Sequence, residues 1–154
     1  MSEVQALAEQ LDNVAARLNR GRAVNYCADF ALRDAPGAGD RTFDEILPTA
    51  IGAPVAIASS AAVSPAEACS EVQRALEYRG DSGSHPNLEF LDSVDGRREI
   101  QSVVHAATEL FMNADRIASI ELSEGHPFYP VFWNFVFVIV RLPDAIVFVG
   151  SASD

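Results

Sequence analysis

The sequence predicts an α+β fold: three or so amphipathic helices packed on a small, mostly antiparallel sheet with a buried aromatic C-terminal hairpin. Three observations predict it. Apolar residues recur at helical spacing through the first two thirds of the chain, the period changes to two after Arg116, and the final strands are apolar on both faces. At 154 residues the chain is the length of a single domain, taken as residues 1–154, and can bury a core without disulfides or metals.

Val4, Leu7, Leu11, Val14 and Leu18, with Ala8 and Ala15, line one face of an opening helix. Ser2 and Gln5 form a capping box at its start, and Gly21 supplies its stop. Over residues 23–33, Val24, Tyr26, Ala28, Phe30 and Leu32 alternate with polar or small residues, which favours a strand while a helix stays open. Pro36-Gly37-Ala38-Gly39 breaks the chain. Thr42-Phe43-Asp44-Glu45 reads as a second capping box, opening a short helix that Pro48 limits, and Val55 to Ala58 as a short strand. Ser64-Pro65-Ala66-Glu67 combines a cap, a proline at the first helical position and a glutamate at the third. Ala68, Val72, Ala75 and Leu76 form the inner face of that helix, which Gly80 ends. After a polar loop, Asp81 to Asn87, Leu88-Glu89-Phe90-Leu91 reads as a brief strand. A further helix after Asp95 carries Ile100, Val103, Val104, Ala107, Leu110 and Phe111 on one stripe and stops at Asn113. Strands follow at Ile117–Leu122, Val131–Arg141 and Ala145–Val149, with Leu142-Pro143-Asp144 turning the last two into an antiparallel hairpin.

Seven aromatic residues, Phe128, Tyr129, Phe132, Trp133, Phe135, Phe137 and Phe148, gather in this terminal region. On a strand, Val131, Trp133, Phe135, Phe137 and Ile139 point one way and Phe132, Asn134, Val136, Val138 and Val140 the other. Two apolar faces mean cover on both sides. Burying each large aromatic contributes roughly 2–3 kcal/mol, so the hairpin anchors the core; alternatively, one face is a protein interface, where aromatics are also enriched. Asn134 interrupts the run. An unpartnered buried amide costs about 1–3 kcal/mol, so Asn134 either bonds backbone at a bulge or strand edge, or its face is open to a ligand or partner.

The net charge is −11, from 22 acidic and 11 basic residues, and every basic residue is arginine. Such an excess argues against a nucleic-acid-binding surface, which needs clustered cations, and against docking on anionic lipid. A basic protein partner fits instead. The N-terminal residues carry Glu3, Glu9 and Asp12 and form no secretory signal. The stretch from Ile46 to Ala66 is broken by prolines, and Phe128 to Val140 falls short of the roughly 20 residues of a membrane span. Cys27 and Cys69 lack metal or redox spacing and read as reduced, half-buried packing residues. A cytoplasmic protein is the expectation.

Motifs of chemistry are weak. Gly80-Asp81-Ser82-Gly83 matches the letters around a chymotrypsin-like nucleophile, but His85, His105 and His126 all follow the serine, contrary to that order, so a flexible loop is the better reading. No phosphate loop, dinucleotide fingerprint or nucleophile elbow occurs, so no cofactor is implied, and the histidines have no metal spacing. His105, near the apolar stripe, reads as packed. His85 and His126 precede prolines and mark extended turns. Glu124, His126 and Tyr129 compose the one candidate ligand pocket, an acid/base pair roofed by a ring. Glu67 and Glu71, one helical turn apart, read as a solvated face. Asp40, Asp44 and Glu45 cluster at a helix start, where the dipole favours them. These three, with Asp81, Glu89, Asp92 and Asp95 of the middle loop and Glu124, are the candidate contacts for a cationic partner.

The segment from His126 through Val140 (HPFYPVFWNFVFVIV), closing with Val147-Phe148-Val149-Gly150-Ser151, resembles the C-terminal hairpins of small bacterial immunity proteins. These are cytoplasmic antidotes encoded beside secreted polymorphic toxins, including those of type VI and Rhs systems. The resemblance implies a non-enzymatic inhibitor that occludes the active site of one cognate toxin, and it assigns no individual residue a role. Two other classes stay open: a small enzyme or ligand-binding domain with its pocket over the aromatic sheet, and an acidic mimic of nucleic acid.

Overall fold

A computed structural model describes residues 2–21 and 25–154. Helix α1 spans Glu3–Leu18, strand β1 Cys27–Ala35, α2 Phe43–Ile51, β2 Ala56–Ala62, α3 Pro65–Leu76, α4 Leu88–Asp92, α5 Val94–Met112, β3 Arg116–Glu124, β4 Trp133–Arg141 and β5 Asp144–Ser153. The five strands form one antiparallel sheet in the order β1-β5-β4-β3-β2. The fold is α+β, as the sequence predicts.

The alternating terminal strands sort their side chains as the period of two demands. Phe135, Phe137 and Ile139 of β4 and Ile146 and Phe148 of β5 enter a core shared with α1, α3, α4 and α5. Val136, Val138 and Val140, with Val147 and Val149, enter a second core covered by Ile46 and Leu47 of α2. Both faces of the hairpin are thus buried. Gly150 makes this packing possible: it faces Phe135 across the β4–β5 pairing and Phe30 across β1–β5. A β-carbon there would stand 2.5 Å from Phe135 Cζ and 3.0 Å from Phe30 Cδ1. At the end of the sheet, Tyr26 stacks on Tyr78 and Phe132, and its hydroxyl accepts a hydrogen bond from Trp133 Nε1 at 3.0 Å.

Both capping boxes at Ser2 and Ser64 form, each with reciprocal hydrogen bonds. Elsewhere local expectations give way. Asn19, not Gly21, caps α1, its N–H donating to Ala15 and Arg17 carbonyls. Residues 27–33 are strand, whereas Val24 lies outside the described residues. Thr42 starts α2 without a capping box; its hydroxyl donates to Glu45 Oε1 at 3.0 Å. The helix runs through Pro48 to Ile51 because a proline removes one N–H while the buried Ile46 and Leu47 hold the helix on the sheet. Leu88–Leu91 is helical rather than extended. Asn87 caps Phe90 N–H, and the consecutive residues Phe90 and Leu91 are both buried, which a half-covered strand cannot achieve. Ser93, not Asp95, marks the start of α5. His105 is solvent-facing, with 78% of its side chain exposed, and its Nε2 lies 3.9 Å from Glu109. Two residues beyond Val103, it has turned about 200° from the buried stripe. Cys27 is exposed, whereas Cys69 is half-buried with its sulfur 2.7 Å from Thr108 Oγ1.

Candidate functional site

The candidate carboxylates lie at both ends of the sheet. Asp40, Asp44 and Glu45 occupy the end where Ala35 faces Ala145 and Arg116 faces Val140, since Gly39 N–H donates to Pro143 O at 2.9 Å. The middle loop lies at the opposite end, where Asn87 N–H donates to Leu18 O and Tyr78 stacks on Tyr26. They do not make one patch, and several are already occupied. Asp92 forms a bidentate pair with Arg79 at 2.9 and 3.1 Å, and these hydrogen bonds hold its carboxyl below the usual range. Asp81 Oδ1 accepts from Gly83 and Ser84 N–H, which lowers its pKa and folds Gly80–Ser84 into an Asx turn. The protease-like letters therefore encode loop geometry. Glu45 lies 3.9 Å from Arg41. Glu89 and Asp95 sit in the first turns of α4 and α5, where backbone N–H groups favour negative charge.

The Glu124, His126 and Tyr129 trio does not converge. Glu124 is exposed at the end of β3, and Tyr129 is 78% exposed and roofs nothing. His126 turns inward: Nδ1 accepts from Phe128 N–H at 3.1 Å, and Nε2 is buried with no partner among the described residues. Burial holds the imidazole below its ordinary pKa and therefore keeps it neutral. The preceding Gly125, at φ +86°, lets the turn press on Pro54 and Val55; a β-carbon would sit 2.3 Å from Pro54 O.

Sequence reasoning missed a site on α3. Strands β3 and β4 pair from Arg116↔Val140 to Ser119↔Phe137, and the pairing stops there although both strands continue. The opening forms a cleft of about 250 Å³, lined by Glu71 of α3, Ser59 and Ala61 of β2, Ser119, Ile120 and Glu121 of β3, and Asn134 and Phe135 of β4. A neighbouring cleft of about 180 Å³ shares Glu71, Asn134 and Phe135 and adds Arg74, Ala75, Tyr78 and Trp133. Asn134 is exposed here, so its amide is hydrated rather than locked into a bulge. Glu71 is half-buried, not a solvated surface residue. Partial desolvation raises its carboxyl pKa; Arg74 acts in the opposite direction, and no ion pair to Glu71 forms among the described residues. Glu121 stands on the same floor, its Oε2 accepting from Ser59 Oγ at 3.1 Å.

A more voluminous cleft, about 410 Å³, lies between α1 and α5. Four of its polar side chains bond in pairs, Arg17 to Glu99 at 3.2 Å and Gln10 to Ser102 at 3.4 Å. The α3 cleft presents two carboxylates, two hydroxyls and an amide around an opening in the sheet, with Glu71 in no ion pair among the described residues, an acceptor set suited to a cation with hydrogen-bonding N–H groups.

Among the described residues, no helix is long and apolar enough to cross a membrane, and no group of histidine, cysteine and carboxylate side chains is arranged to hold a metal. No family model matches the chain, and neither a curated protein nor a solved structure matches it.

Proposed function

We propose that the chain is a cytoplasmic antidote that binds one cationic toxin domain and occludes its active site without catalysing a reaction. The observation that carries this reading is Glu71: its carboxylate is half-desolvated in the cleft that Glu121 also lines, offset in part by Arg74 but engaged in no ion pair among the described residues. A carboxylate in that position costs the isolated fold free energy that an incoming arginine or lysine returns. The surrounding charge of −11 supports the same reading, because it accelerates encounter with a cationic surface. The terminal hairpin's likeness to immunity proteins supplies the biological class.

Co-expression with the polypeptide encoded immediately upstream tests the proposal. The expected outcome is a stable complex in which the partner's toxicity is suppressed. Replacing Glu124 and His126 by alanine leaves protection nearly intact, whereas Glu71→Arg weakens it by an order of magnitude or more, about the coupling of one close charge pair. An upstream product that neither binds nor harms the host cell overturns the reading.

A further inference from the structure

Strand β2 closes one side of the sheet, and its substantial contacts are with β3 alone. One row of its backbone groups therefore faces away from the protein; Ser123 Oγ donates to Ala56 O at 3.3 Å, and no hydrogen bond outside the sheet engages the backbone of Ile57 to Ala62 among the described residues. The two sheet edges differ in how they are protected. The β1 edge has α1 and α2 packed against it and bears the charged residues Asp29, Arg33 and Asp34. The β2 edge reads Ala-Ile-Ala-Ser-Ser-Ala-Ala, with neither a charge nor a proline, and residues 58–62 are exposed. Charges, prolines and bulges are the usual guards of a free edge. Here bulges disturb only Ala56 to Ser59, leaving Ser59 to Ala62 in regular pairing with Glu121 to Ala118.

We propose that β2 is a docking edge for an extended cationic segment of the partner, which adds as a sixth strand and sends a basic side chain to the α3 cleft. This deepens, and rests on, the reading of the chain as a binder of a cationic protein. Backbone pairing supplies the attachment, and the small side chains of β2 allow close approach without selecting bulky neighbours. An added strand lies about 4.8 Å beyond β2, so an arginine or lysine stem reaches across β2 to Glu121, which already leans toward Ser59. Charge decides against a second copy as the occupant. Self-pairing would bring together two molecules of −11 each, with Glu121 and Glu124 behind both edges. A cationic strand meets Glu121 as a counter-charge.

The test uses two acetylated octapeptides, alternating Lys-Thr and alternating Glu-Thr, titrated at low salt into the full-length ¹⁵N-labelled protein. The Lys-Thr peptide is expected to shift the amide resonances of Ser59 to Ala62 most strongly and to slow their hydrogen exchange, with no response to Glu-Thr. Glu121→Arg should weaken that binding about tenfold or more. Ser60→Pro and Ala61→Pro give a second check, since neighbouring strand residues direct their N–H groups to opposite sides. The variant that loses an outward N–H keeps its melting temperature and loses the peptide. Shifts scattered over other carboxylates, equal response to both peptides, or no binding overturns the proposal, as does protein that dimerises through Ser59–Ala62 without peptide. The same two proline variants are then assayed with the upstream polypeptide. A complex that survives both removes β2 from the interface but leaves the antidote standing, whereas wild-type protein that forms no complex removes the antidote itself.

Discussion

Gly150, His126 and Glu71 owe their roles to what surrounds them, and each makes a distinct prediction. Gly150 is a gap filled by two rings, so Gly150→Ala overpacks the sheet: its β-carbon meets Phe135 Cε2 at 2.6 Å and Phe30 Cδ1 at 3.0 Å. A loss of about 1–3 kcal/mol is expected, read as a lower urea midpoint at unchanged slope. For His126 the folded-state pKa lies below the ordinary 6.5, so the unfolded chain binds the extra proton first. Stability from this group is complete above that value and falls as pH drops toward the folded pKa. His126→Asn can keep the acceptor for Phe128 N–H through an Asx turn and cannot titrate. The difference between the wild-type and variant stability curves should therefore change between pH 6.5 and more acidic values and level off above it. Glu71 has the opposite sign: its folded pKa is raised, so the fold favours the neutral acid. Its effect is absent below the ordinary carboxylate range and becomes destabilising as pH rises through the folded value. Glu71→Gln is accordingly expected to equal or exceed wild type in urea stability at pH 7 while binding a cationic partner more weakly. A clear loss of stability at pH 7 would mean that the carboxylate is compensated in the isolated fold.

Among the elements, α4 shows most directly where sequence patterns reach and where they stop. Its short Leu-Glu-Phe-Leu run carries too few residues to distinguish a period of two from one of 3.6, and the decision falls to contacts distant in sequence. Asn87 makes them: Oδ1 accepts from Phe90 N–H, Nδ2 donates to Arg17 O, and its backbone N–H donates to Leu18 O. It thus fastens the end of α1 to the start of α4. Asn87→Ala should cost about 1–2 kcal/mol, visible as a lower urea midpoint and faster amide exchange in Phe90 and Leu91. Ser2 and Ser64, by contrast, cap through residues three positions away, so both helix starts were legible in the sequence. The two-sided hairpin was legible for the same reason, since alternation is a local signal. The α3 cleft was not. Glu67 and Glu71 share a helix face, and the cleft that Glu71 lines depends on β3 and β4 ceasing to pair after Ser119, a contact between segments distant in sequence.

For the whole molecule, the dominant quantity is a charge of −11 on a sheet whose interior is nearly all hydrocarbon. Four arginine–carboxylate pairs, Arg17–Glu99, Arg41–Glu45, Arg79–Asp92 and Arg141–Glu3, neutralise part of it locally. All are substantially exposed, and such pairs contribute little to stability because solvent screens them. The unbalanced remainder repels itself across the surface, opposing the compact state while attracting cationic partners. Salt separates these two consequences. Raising ionic strength from about 0.01 M to about 0.15 M shortens the screening length from about 30 Å to about 8 Å. Self-repulsion weakens more than the few exposed pairs do, so the isolated protein's melting temperature is expected to rise. Over the same range the association rate with a cationic partner should fall by about tenfold or more, because steering acts at distances beyond the shorter screening length. Dissociation should change less, since close contacts at Glu71 and Glu121 are screened less than distant charges. A melting temperature that instead falls with salt would show that the local pairs outweigh the excess charge, and that repulsion is not what the exterior adds to the fold.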